Sequence, residues 1–242
     1  MVSSSDPYHK LKIDVIIPVF NEENSIALVV NDIPKSLVRY IYVCDNGSTD
    51  YSKELAIQSG AQVLLETRKG YGSACLKGIR HIQEQANSEH PDILVFLDGD
   101  YSDRPSEMHL LIEELISKEL DLVIGSRVLG KSEKGSLGLV QEFGNKLSTF
   151  LIELLFNYRF TDLGPFRAIR FSKLLEMDMQ DRDYGWTVEM QIKAAKMKMR
   201  IGEVPVSYFK RIGQSKISGT LRGIIGAASK ILYMIFKSFV KG

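Results

Sequence analysis

Short continuous apolar runs alternate with stretches of helical period through the first half of the chain. Runs of four to eight residues rich in Val, Ile and aromatics read as strands, and apolar positions recurring every three to four residues read as amphipathic helices. The pattern predicts strands over 15–19, 40–43, 62–65, 93–97 and 122–124, with helices over 23–33, 52–59, 73–86 and 106–118. This alternation implies an α/β fold with a mainly parallel sheet covered by helices. Strands apolar on both faces, such as Val95-Phe96-Leu97, are the buried kind that such a sheet requires. Beyond 124 the rhythm breaks into a long apolar helix over 145–156, a loop over 161–166, a helix over 186–197 and a short strand near 203–206. There is no internal repeat and no low-complexity linker.

The last helix, expected over 221–240, places Ile224, Ile225, Ala228, Ile231, Leu232, Ile235, Phe236 and Phe239 on one arc, with Lys230, Lys237 and Lys241 opposite. Two lysines interrupt it too soon for a span of roughly 20 apolar residues, so it is expected to lie on a bilayer rather than cross it. Docking on the protein's own core, or on a second copy in a homo-oligomer, is the alternative. The chain thus divides into a main domain over 1–219 and an amphipathic helix over 220–242.

At 242 residues, 44% hydrophobic and 25% charged, the chain is large enough for one substantial core. Cys44 and Cys75 fall in apolar contexts without C-x-x-C spacing, which fits structural thiols in a reducing compartment. Residues 1–12 are polar and carry no apolar core of a secretory signal, so a cytoplasmic location is expected, peripheral to a membrane. The net charge of +1 hides an asymmetry: from Lys193 onward eleven basic residues face the single acid Glu203. Such a block attracts phosphate groups on nucleotides, nucleic acids or anionic membranes. A nucleic-acid partner is not expected, because no aromatic platforms are interleaved with these charges.

Candidate chemistry gathers where strands end. Asp98-Gly99-Asp100 follows the run 93–97, and two carboxylates held so close repel unless a cation joins them. A hard divalent ion completed by phosphates is the natural partner, although a lone D-x-D is commonly a solvated turn. Pro18-Val19-Phe20-Asn21-Glu22 follows the first strand, and Asp45-Asn46-Gly47-Ser48-Thr49-Asp50 the second, with Asp50 suited to cap the next helix. Lys69-Gly70-Tyr71-Gly72 opens a helix whose amides suit a phosphate. Neither G-x-G-x-x-G after a strand nor a P-loop is present, so a dinucleotide cofactor has no support.

The ordered series P-V-F-N-E-E, C-D-N-G-S-T-D, R-K-G-Y-G-S-A, L-D-G-D and G-S-R resembles glycosyltransferase family 2, with its Rossmann-like GT-A fold. Asp162-Leu163-Gly164-Pro165-Phe166-Arg167 and Arg211-Ile212-Gly213-Gln214-Ser215-Lys216 resemble stretches of the dolichyl-phosphate mannose synthases, D-x-T-S-G-F-R and R-x-G-x-S-K. The resemblance implies a metal-dependent inverting transfer of a hexose from a nucleotide-diphosphate sugar to a polyprenyl phosphate. A hydroxyl acceptor in polysaccharide or glycolipid assembly is the alternative. It further implies that Pro18, Phe20 and Glu22 line the nucleotide pocket, with Lys69 at the donor and Asp45 on the base. Asn46 stands where an Asp is common. Asp98 matches the acid at the ribose or metal, and Asp100 the direct ligand of Mg2+ or Mn2+. Ser102 replaces a common Gln, with Asp103 as a substitute ligand. Arg127 matches an arginine near the phosphates, Arg211 and Lys216 a mobile basic segment over them, and Asp162 an acceptor-side positioning group or base. Trp186 reads equally as a sugar platform or as core packing.

Overall fold

The structure, a computed structural model, describes residues 11–136, 138–213 and 221–240. All seven residues of β1 (Ile13–Val19) are buried, as befits a strand covered on both faces, and its one charged member, Asp14, pairs with Arg39 at 2.7 Å. The chain continues through α1 (Ile26–Asp32), β2 (Tyr40–Asp45), α2 (Ser52–Gln58), β3 (Gln62–Leu65), α3 (Tyr71–Gln83), β4 (Ile93–Phe96), α4 (Met108–Ser117) and β5 (Leu122–Ser126). The second half adds α5 (Leu139–Phe156), β6 (Arg167–Arg170), α6 (Phe171–Met177), α7 (Trp186–Lys196), β7 (Ile201–Pro205) and α8 (Leu221–Val240). The seven strands form one sheet in the order β3-β2-β1-β4-β6-β5-β7, and only β6 runs against the rest.

Strand alternation sorts side chains into two cores. Ile13, Val15 and Ile17 of β1 face Val29, Ala56 and Leu111 from α1, α2 and α4. Ile16, with Leu94 and Phe96 of β4, faces the opposite layer, built from α3, α5, α6, α7 and α8. Trp186 belongs to this second core, 1% exposed and tilted edge-on to Phe96 at 6.0 Å, so it is packing and not a sugar platform. Cys44 and Cys75 are buried free thiols.

Three elements differ from the sequence pattern. The four-residue β6 and the short α6 escape it, because Arg167-Ala168-Ile169-Arg170 offers only two apolar positions between arginines. Helix α5 starts six residues earlier than expected, at Leu139, where Gln141 Oε1 accepts from the Gly138 amide at 3.0 Å. Gly144, a weak helix former, had masked this first stretch.

Helix α8 has the expected bounds, yet part of its apolar arc is covered by the protein itself. Met234 and Ile235 sit in the second core, and Phe239 packs edge-to-face on Phe156 of α5 at 6.3 Å. Lys230, expected to face headgroups, pairs with Asp181 at 2.8 Å. The division at 219/220 therefore separates a helix in sequence that packs as part of the body. The side chains of Ile224 and Ile225, together with Lys241, lie outside the described residues. Among the described residues no helix is long and apolar enough to cross a membrane.

Candidate active site

Strand order fixes where the site lies. From β1 the chain moves outward to β2 on one side, and β4 joins β1 on the other, so a crevice opens beyond their C-terminal ends. Val19 pairs with Asp45, and the two following loops run side by side. They are laced together: Asn21 Oδ1 accepts from the Thr49 amide at 2.8 Å, and the Glu22 amide donates to Ser52 Oγ at 2.7 Å. Asp50 accepts from the Ser52 amide at 3.1 Å just ahead of α2, whose N-cap residue is Tyr51 and not Asp50. The β2 loop turns at Gly47, whose φ of +78° favours glycine.

Asn46 ties this loop to the start of α3. Its Nδ2 donates to the Arg68 carbonyl at 2.7 Å, while its Oδ1 accepts from the Gly70 amide at 2.7 Å. An ionised Asp has no donor for the carbonyl, which gives the amide at this position a physical reason. Asp45 is 2% exposed and accepts from the Ser48 amide at 3.1 Å, so it shapes the turn from beneath. Lys69 Nζ donates to the Asn46 carbonyl at 2.9 Å and lies 4.1 Å from the Phe20 ring centre.

A cavity of about 490 Å³ occupies the crevice. Of the residues singled out from sequence, Pro18, Phe20, Glu22, Lys69, Asp98, Asp100 and Arg211 line it together. Asp98 Oδ1 accepts from the Tyr71 hydroxyl at 2.9 Å. Burial, reinforced by the nearby Asp100 charge, pushes the Asp98 carboxyl up to about 7, and burial beside Asp98 raises Tyr71 well above its ordinary value. Arg211 Nη2 stands 3.1 Å from both Asp100 Oδ2 and Glu22 Oε1, and the Ile212 amide donates to the Asp100 carbonyl at 2.9 Å. Lys216 lies outside the described residues.

The donor set suits a divalent ion. Two crowded carboxylates face the cavity, and their mutual repulsion is a deficit of positive charge that Arg211 meets only in part. Among the described residues no cluster of three or more acidic, His or Cys side chains is arranged to cage a metal. Mg2+ is commonly held by only one or two carboxylates, with phosphates and water completing its shell. Ser102 and Asp103 do not line the cavity. The Ser102 amide and hydroxyl both donate to Asp100 Oδ1, at 2.9 and 2.6 Å, so Ser102 orients the acid. Asp103 is 2% exposed, with neither oxygen hydrogen-bonded, and burial raises its carboxyl well above the usual range.

Arg127 and Asp162 form a separate buried pair. Asp162 is fully buried and accepts from the Arg127 amide, Nε and Nη2 at 2.8, 2.7 and 2.7 Å. Burial alone would pull the Arg127 guanidinium down, but Asp162 reverses the shift. Asp162 is positioned by Glu203, whose carboxylate accepts from the Thr161 amide at 3.0 Å. Sequence reasoning missed Tyr71, Asp183 and Tyr184 as lining residues. The last two stand immediately before Gly185-Trp186, at the start of α7.

A Rossmann-like sheet with a carboxylate pair and an arginine gathered beyond its C-terminal edge defines the GT-A class of nucleotide-sugar transferases. The profile described as glycosyl transferase family 2 matches residues 14–177, and the chain belongs to that family. It is 33% identical over 218 residues to a glycosyltransferase of Mycobacterium tuberculosis, covering 88% of this chain and 93% of the relative. It is 29% identical over 230 residues to the undecaprenyl-phosphate mannosyltransferase of Micrococcus luteus, covering 90% and 91%. A UDP-N-acetylglucosamine–dolichyl-phosphate N-acetylglucosaminyltransferase of Methanococcus voltae is 30% identical over 213 residues, covering 79% and 83%. In fold, the chain resembles the crystal structure of glucosyl-3-phosphoglycerate synthase from Mycobacterium tuberculosis with Mn2+, uridine-diphosphate-glucose and phosphoglyceric acid. The TM-score is 0.74 at 22% identity, over 96% of this chain and 80% of the other.

Proposed function

We propose that this glycosyltransferase moves a hexose, with inversion, from a nucleoside-diphosphate sugar to the phosphate of a polyprenyl lipid at a membrane surface. The observation that carries the choice of acceptor is Asp162. A hydroxyl acceptor must lose a proton, and the acid expected to take it has its carboxylate committed to Arg127. A phosphomonoester, with a second pKa of about 6, is already mostly a dianion at neutral pH and needs no base. Its oxygen forms the new bond to the anomeric carbon as the bond from that carbon to the diphosphate oxygen breaks, and the nucleoside diphosphate leaves with the electron pair. The names of the Micrococcus and Methanococcus relatives lend the same reading weight.

Asp100, with Asp98 beside it, would hold Mg2+ or Mn2+, which supplies positive charge to the departing diphosphate. Arg211 brings a second cation to the same side of the cavity, where transition-state charge gathers. Lys69, fixed on the Asn46 and Gly47 carbonyls, adds a third at the donor end. Membrane contact is supported by Phe143, Phe150 and Leu154 on α5 and Phe236 on α8, all at least half exposed. The test is a transfer assay with a panel of nucleotide sugars, offered polyprenyl phosphate and, separately, a hydroxyl acceptor. Product with the hydroxyl acceptor alone would overturn the proposal.

A further inference from the structure

A second cavity, of about 500 Å³, lies among α7, α8 and the loop between α6 and α7. It shares no lining residue with the Asp98 cavity. Five cationic side chains reach it, Arg68, Arg182, Lys193, Lys230 and Lys237, against the two acids Asp181 and Glu189. Both acids are already committed. Glu189 pairs with Lys193 at 2.8 Å and accepts from the Asp181 amide at 2.7 Å. Asp181 pairs with Lys230 at 2.8 Å and accepts from the Asp183 and Gly185 amides at 2.8 and 3.0 Å. Arg68, Arg182 and Lys237 have no carboxylate partner among the described residues, and Lys237 rests 5.4 Å from the Tyr233 ring centre.

Cations on a convex surface separate and are solvated. Here they converge from three distant parts of the sequence on one concave space, whose walls focus their field on an anion. The volume is that of a small-ligand site. We infer that this cavity is a binding site for a phosphate-bearing anion, a phosphomonoester or diphosphate group, distinct from the sugar donor. The inference stands whichever acceptor the enzyme uses. Two sources carry that chemistry: a soluble phosphate compound, or the headgroup of an anionic lipid met by α8.

The test is calorimetric titration of inorganic pyrophosphate into the full chain, in chelator, for wild type, Arg182→Ala/Lys237→Ala and the charge-keeping Arg182→Lys/Lys237→Arg. Both positions are exposed, so the fold is expected to survive. The alanine pair should lose one site relative to wild type, or bind there about tenfold or more weakly, while the charge-keeping pair retains it. Equal isotherms for wild type and the alanine pair would overturn the inference. So would a charge-keeping pair as impaired as the alanine pair. Flotation with phosphatidylcholine vesicles, with and without phosphatidic acid, separates the sources. A defect of the alanine pair confined to phosphatidic-acid vesicles identifies a lipid headgroup, and unchanged flotation beside a lost pyrophosphate site identifies a soluble anion.

Discussion

Asp98 is held against its ordinary chemistry, and two opposite pH effects follow. Its carboxyl titrates near 3.8 when unfolded and is raised to about 7 in the fold, by burial first and by Asp100 second. The folded state therefore binds the proton more tightly, and the resulting stabilisation is complete below the unfolded value and lost as pH rises through 7. Asp98→Asn, which mimics the neutral acid, should melt higher than wild type at pH 8 in chelator, by calorimetry, with the gap narrowing as pH falls below 7 and closing only below 3.8. Metal affinity needs the ionised form and should fall over the same interval as pH is lowered. Asp100→Asn should cost about 100-fold or more in transfer rate while circular dichroism stays that of wild type, because the amide keeps shape and loses charge. Asp162→Asn strands a buried guanidinium and should destabilise by about 3–5 kcal/mol in urea denaturation. The two carboxylates of the D-G-D were legible because an apolar strand announces where its loop begins. Ser102 and Asp103 were not, because spacing does not reveal how the chain turns after Tyr101, whose φ is +60°.

Helix α8 shows what periodicity carries and what it omits. Its length and apolar arc were legible, since a 3.6-residue repeat says which side chains share a face. What covers that face is a tertiary fact, and here the cover is α5 and α7. A chain ending at 219 should therefore be less stable, by about 3–6 kcal/mol for Met234 and Ile235 together, and its thermal midpoint should drop. A truncated chain with an unchanged midpoint would show that α8 adds nothing to the core. Strand β6 was illegible for a different reason. Arg167 is fully buried, donates to the Thr187 carbonyl at 3.1 Å and is drawn down to about 10 by burial, an environment no propensity rule assigns to arginine.

For the molecule as a whole, the membrane contact proposed above would be made first by the exposed Phe143 and Phe150 of α5. Phe143→Ser/Phe150→Ser should weaken flotation with anionic liposomes several-fold at unchanged melting temperature, since both side chains are more than half exposed. The central position of β6 also sets an order of assembly. As the chain leaves a ribosome, β1 to β4 can join as soon as they emerge, but β5 finds no neighbour among them, because its partners β6 and β7 come later. The strand that carries Asp98 and Asp100 at its end thus keeps an open edge until residue 170 is made. A fragment stopped short of 167 would leave one edge of β4 and both edges of β5 unpaired and invite intermolecular pairing. A fragment ending at β5 should therefore self-associate, and the nascent chain is most exposed to self-association during the forty residues between β5 and β6.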